Sequence, residues 1–244
     1  MAVSANRIGI IGEKTVHATL KSFLEPDVSY HEVKVGTYVV DIWHENEIIE
    51  IQTRQFGVLR KKLTDLLLQN YRVKVVYPVA RLKWLIWIDE ETGVATPKRK
   101  SPRTGTIYDI LPELYGLKTL LTHPNLSFAV ARLDIEEYRL LNGWSRDRKK
   151  GSKRCDQTPV QIVDITYIEA GPAAGPKADA WTGSYERLVP PGLPCLFTSK
   201  DFQRASKLSL RATYKALAVL THIQVLQKAG KRGRMNLYEQ ILRD

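Results

Sequence analysis

Residues 33–43 and 47–54 read as two strands that flank His44-Glu45-Asn46-Glu47, a hairpin turn. Side chains along a strand alternate faces with period two, and the spacing predicts a hairpin whose turn centres between Glu45 and Asn46. Residues whose numbers sum to 91 then face one another, so Asp41 lies opposite Glu50 and Val39 opposite Gln52. Asp41, Glu50 and Gln52 share one face, and Val40, Ile42, Ile49 and Ile51 share the other, apolar one. Two carboxylates directly opposite each other repel and destabilise a sheet. A bound divalent cation removes that penalty, and hard oxygen ligands suit Mg²⁺ or Mn²⁺.

Glu13 adds a third carboxylate. Residues 13–24 read as a helix, and at about 100° per residue Glu13 falls between Val16, Leu20 and Leu24 on the apolar stripe. A carboxylate facing a core is costly unless it is paired or metal-linked. His17 lies one turn further along that side and Lys21 one turn beyond. The residues by themselves leave an alternative open: Asp41 forms a surface ion pair with Arg54 or Lys34, and Glu13 is a first-turn acid that favours the helix N-terminus.

Along the chain stand helix-Glu13, Gly36-x-Tyr38-x-x-Asp41, Ile49-Glu50-Ile51-Gln52, an amphipathic helix over 58–70 and a β-branched strand, Val73–Tyr77, stopped by Pro78. The helix carries Leu59, Leu63, Leu66 and Leu67 on one face. This arrangement, over residues 8–78, resembles the PD-(D/E)xK nuclease core, especially its archaeal Holliday junction resolvase and restriction endonuclease branches. The resemblance implies an α/β, restriction-endonuclease-like core and a metal-dependent DNA endonuclease. It implies that Asp41 and Glu50 are metal ligands with the Ile51 backbone carbonyl, and that Glu13 reaches the metal directly or through water. The implied reaction is phosphodiester hydrolysis, with water attacking phosphorus in line and the 3′ oxygen leaving.

Gln52 stands where that family usually carries its catalytic lysine. Glutamine is neutral and is no general base at about pH 7. It can orient a water, as in some restriction endonucleases of the family. Alternatively a lysine arrives from elsewhere, Lys14 or Lys21 on the first helix or Lys61 or Lys62 on the next. A third option is that catalysis is lost and the core only binds DNA, as a regulator.

The rest of the first part reads as a strand at Leu82–Ile88, a basic loop at Lys98–Arg103, a helix at Tyr108–Leu121 despite Pro112, and strands at Ser127–Leu133 and Pro159–Glu169. The two tryptophans of the apolar strand, Trp84 and Trp87, fit core or interface positions better than stacking platforms. A second basic stretch spans Arg146–Arg154. Each basic loop can grip phosphates or be merely solvated. Glycine, proline and alanine crowd 170–180, and Pro190-Pro191-Gly192 follows, which marks a linker. The expected organisation is a nuclease-like domain over 1–169, a linker over 170–195 and a terminal domain over 196–244.

The chain carries 37 Lys+Arg against 26 Asp+Glu, a net +11. Residues 196–244 hold ten of those bases and three acids, so +7 sits in a fifth of the length. Thr198-Ser199-Lys200-Asp201 is an N-cap signal for a helix through Ser206, and Ser209 caps a second, Leu210–Leu220, with Leu210, Leu217 and Leu220 inward. A strand at Ile223–Leu226, a basic turn at Lys228–Arg234 and a return segment at Met235–Ile241 complete the module. Helix, turn, helix and basic hairpin resemble a winged helix-turn-helix. That resemblance implies that Arg211, Thr213 and Lys215 face the major groove, beside Lys207, and that Lys231, Arg232 and Arg234 contact phosphates from the wing. A winged helix used for protein contacts is the other reading.

Two cysteines with no metal-ligand spacing point to reduced thiols and a cytoplasmic protein. The most apolar later run, Trp84–Ile88, is far short of the roughly 20 residues that span a bilayer, so no membrane partner is expected. The expected partner is DNA, double-stranded or branched. Cutting both strands with one site per chain calls for a homodimer. RNA in place of DNA is the third function class.

Overall fold

The computed structural model describes residues 14–89, 91–141, 153–169 and 185–241. Glu13, residues 142–152 of the basic stretch and its approach, and residues 170–184 of the expected linker lie outside them. The architecture is mixed α/β, as expected. Among the described residues no helix is long and apolar enough to cross a membrane. The chain divides into two compact units, one of Met1–Ser29, Pro78–Gly105 and Ala131–Ile165, the other of Tyr30–Tyr77, Thr106–Val130 and Thr166–Asp244.

The second unit carries an antiparallel meander of β1 (His31–Val35), β2 (Tyr38–His44) and β3 (Glu47–Ile51). The single strand expected over 33–43 is therefore two. Val35 pairs with Tyr38 across a tight turn, and Gly36 supplies the φ of +59° that this turn needs. Glu45 and Asn46 both take positive φ, 48° and 73°, the geometry of a two-residue hairpin turn whose twist matches the strands. The register is Ile42 with Ile49, Trp43 with Ile48 and His44 with Glu47, the pairing expected from the sequence.

Helix α2 (Arg60–Leu68) then crosses back, led in by a 3-10 turn at Phe56–Leu59, so that β4 (Arg72–Ile88) pairs parallel with β3. Its apolar stripe works as anticipated: Leu63 and Leu66 are fully buried, Leu59 and Leu67 nearly so. They pack in the core with Phe56, Ile42, Ile48, Val75 and Phe128 also inside. Pro78 does not stop β4, which runs 17 residues. β3 ends opposite Val76, so the missing proline N–H costs no bond on that side.

β6 (Leu126–Leu140) lies on the other side of β4 and β7 (Lys153–Glu169) beyond it. The helix expected at 108–121 is broken into 3-10 turns, Ile107–Ile110 and Tyr115–Leu120, around a single helical turn, α3 (Leu111–Leu114). Pro112 sits in the first turn of α3, where no intrahelical N–H is required. Gly116 allows the segment to approach Gly57: a Cβ there would stand 2.7 Å from the Gly57 nitrogen. The Arg60 guanidinium locks this approach by donating to the Gly116 carbonyl at 2.9 Å through Nε.

The C-terminal part of this unit runs β8 (Phe197–Thr198), α4 (Ser199–Ser206), α5 (Leu210–His222), β9 (Leu226–Arg232) and β10 (Met235–Gln240), with strand order β8-β10-β9. Both expected caps form. Thr198 and Asp201 make a reciprocal capping box, and the Ser209 hydroxyl accepts from Ala212 N–H. Phe197 stacks against Phe202 and Tyr238 in the core. The strand expected at 223–226 begins instead at Leu226, because α5 continues to His222.

The first unit holds α1 (Lys14–Leu24), β5 (Arg99–Lys100), which pairs with β4 at Trp84 and Leu85, the later parts of β4 and β6, and the earlier part of β7. Ion pairs lace this sheet. The Arg81 Nε reaches Asp134 at 2.9 Å, Lys83 reaches Glu137 at 2.8 Å, and Arg132 grips Asp164. Glu137 is fully buried and also accepts from Arg139 and Gln157. Lys98 lies over the Trp84 ring and 3.3 Å from Glu136, so this member of the basic loop already has an acidic partner.

Candidate functional site

The hairpin turn is what brings the acids together. Continuing the observed register by one residue sets Asp41 against Glu50. There the ladder changes character: the Asp41 Oδ2, rather than a backbone carbonyl, accepts the Ile51 N–H at 2.7 Å. Asp41 is half-buried and Glu50 is 5% exposed. Burial pushes the Glu50 carboxyl up to about 7; the Lys62 ammonium opposes this, and the charge of Asp41 adds to it.

Lys62 comes from α2. Its Nζ stands 2.5 Å from Glu50 Oε1 and donates to the Val39 carbonyl at 2.7 Å. At that distance the ammonium and Oε1 form a charge-assisted ion pair, which opposes the effect of burial. Of the four lysines expected as possible replacements, Lys62 stands against a hairpin acid. Lys61 is exposed, and the Lys14 side chain lies outside the described residues.

Gln52 is turned elsewhere. Its side-chain amide donates to the Arg54 carbonyl at 2.6 Å, and its backbone N–H to Val76. One further contact escaped the sequence reading: the Tyr38 hydroxyl donates to Asp65 on α2, and that bond holds the phenol above its ordinary range. Lys62 and Asp65 are three residues apart, on neighbouring points of one helix face. Their spacing beside the leucine stripe was the available signal that α2 docks a polar edge onto β2.

Two carboxylates on adjacent strands, one of them buried, are oxygen donors of the kind a hard divalent cation takes, and in this structure the Lys62 ammonium lies against the buried one. Among the described residues, no group of three or more His, Cys, Asp or Glu side chains is arranged to hold a metal. The third carboxylate expected here, Glu13, lies outside the described residues.

In the C-terminal part, Lys207, Arg211, Lys231, Arg232 and Arg234 are exposed and Lys215 is half-buried. Thr213 corrects the expectation. It is fully buried, and its hydroxyl donates to the Ser209 carbonyl, because two residues along a helix turn the side chain about 200° away from Arg211. Leu210, expected inward, is 47% exposed. It lines a groove with Tyr115, Arg211, Tyr214, Lys215 and Ala218.

Residues 14–169 match the family described as Domain of unknown function (DUF8091), and the chain belongs to that family. The matched stretch ends where β7 ends. A Treponema pallidum (strain Nichols) protein named "Uncharacterized protein" is 29% identical over 229 residues, which cover 93% of this chain and 85% of that protein. No solved structure matches.

Proposed function

We propose that this member of the DUF8091 family is a metal-dependent DNA endonuclease with a restriction-endonuclease-like core and a C-terminal winged helix. One observation carries the reading: Glu50 is buried opposite Asp41 on a hairpin, with the Lys62 ammonium against it. The order of elements supports it, since a three-stranded meander, a crossing helix and a parallel strand are the parts that the resemblance requires.

Asp41 and Glu50, with the Ile51 carbonyl and Glu13, are the residues that would hold Mg²⁺ or Mn²⁺. When bound, the cation supplies Lewis-acid activation of water and charge neutralisation on the phosphate. The chain's own residues do the rest. Asp41 is held in place by the Ile51 N–H. Lys62 lowers the cost of ionising Glu50, and its ammonium supplies the positive charge that Gln52 lacks. The exposed bases of the β9–β10 hairpin grip the DNA backbone.

A second reading, a DNA-binding regulator on a decayed nuclease core, is favoured by one observation. The Gln52 amide is spent on the Arg54 carbonyl. Titration calorimetry separates the two. The endonuclease reading expects Mn²⁺ binding that is lost in Asp41→Asn, with DNA binding in EDTA unchanged. DNA binding without any Mn²⁺ heat in the unaltered chain supports the regulator.

A further inference from the structure

The face of α5 that a winged helix would present to duplex DNA is one wall of a cleft. Its other wall is Tyr115, in the 3-10 turn after α3. The Lys215 Nζ lies 5.8 Å from the Tyr115 ring centre, and the Lys118 Nζ lies 5.2 Å from the same ring. A B-DNA major groove of about 12 Å admits a helix only when that helix edge stands clear. Here the edge is flanked by an aromatic ring at side-chain distance.

The cleft has a volume of about 490 Å³. Two tyrosine rings stand open in it, Tyr115 at 44% and Tyr214 at 55% exposed. Arg211 and Lys215 line the cleft with them and Lys118 lies against the Tyr115 ring, and among the described residues none of the three has a carboxylate partner. Exposed rings beside cations that have no carboxylate partner match the alternation of flat bases and phosphates along a single strand. An acidic peptide would use the charges and leave the rings idle.

We propose that this cleft binds a single-stranded segment of nucleic acid, with Tyr115 and Tyr214 stacking on unpaired bases and Arg211, Lys215 and Lys118 taking the phosphates. The proposal deepens the reading of the C-terminal part as a nucleic-acid grip and names its substrate there as unpaired strand, leaving duplex contacts to Lys231, Arg232 and Arg234. It does not depend on the metal site.

The test is fluorescence anisotropy with the full chain in EDTA. Its probes are a labelled single strand of about 12 nucleotides, the corresponding duplex, and an acidic peptide as competitor. Tyr115→Ala and Tyr214→Ala should each weaken single-strand binding about 10-fold and leave duplex binding unchanged. Tyr214→Phe should keep the affinity, since a phenyl ring still stacks. Both rings are exposed, so these variants keep the fold, which a melting curve checks. Equal losses for single strand and duplex, no loss for either, or displacement by the peptide that the tyrosine variants abolish would each overturn the proposal. If single strands bind with the tyrosine variants as tightly as without them, only the cleft assignment falls. If no nucleic acid binds at all, the reading of the whole C-terminal part falls with it.

Discussion

On the proposed endonuclease reading, Lys62→Met should lower Mg²⁺-dependent cleavage by about 100-fold or more, the size of effect that loss of a charge-stabilising or proton-handling group produces. The physical ground is local. Glu50 is buried, and Lys62 is the cation that opposes the cost of ionising it. Without the ammonium, Glu50 keeps its proton to still higher pH, and a metal must displace that proton before it can bind. Folding survives, because a protonated Glu50 is neutral and is tolerated in its pocket. The pH profile of cleavage should therefore shift upward as well as drop, and Lys62→Arg should restore part of the rate. A Lys62→Met variant that cleaves within twofold of the unaltered chain at every pH would remove Lys62 from the site.

The second large effect is on stability. Glu50 loses its proton near 4.5 when unfolded and at about 7 when folded. Between those values the folded chain binds more protons than the unfolded one. Stability from this group is therefore full below about pH 4.5, falls as pH rises through 7, and levels off above. The whole swing is worth about 3 kcal/mol at most. Glu50→Gln has nothing to ionise and should flatten that fall, leaving the variant the more stable at pH 8 relative to its own stability at pH 5. Melting curves at the two pH values measure it; the same decline in both proteins would place the burial cost elsewhere.

Some of this was legible in the residues. The hairpin register could be read because Glu45 and Asn46 accept positive φ, and period-two alternation then has one consistent pairing. The leucine stripe of α2 was legible for the same reason of periodicity. The position of Lys62 was not, since it depends on how far α2 is rotated about its axis over β2 and β3. Several lysines were equally eligible from spacing. Gly36 belongs to a motif in the sequence and to a turn in the fold, which divides one expected strand into two. Pro78 does not stop β4, because its effect depends on whether a neighbouring strand needs its N–H, and β3 ends two residues earlier. The winged-helix resemblance implies Thr213 beside Arg211 and Lys215, and the helical period turns it the other way. The pairing of Arg81 with Asp134 and Lys83 with Glu137 joins residues more than fifty positions apart, which no local pattern encodes.

The proposed hydrolytic metal site at Asp41 and Glu50 is tested by incubating the purified chain with plasmid and with branched DNA in Mg²⁺ or Mn²⁺, beside the Asp41→Ala and Glu50→Ala variants. The unaltered protein should break strands only with metal and neither variant should, with DNA binding retained in all three. Cleavage by either variant equal to that of the unaltered protein, or no cleavage of any substrate by the unaltered protein, would remove the site.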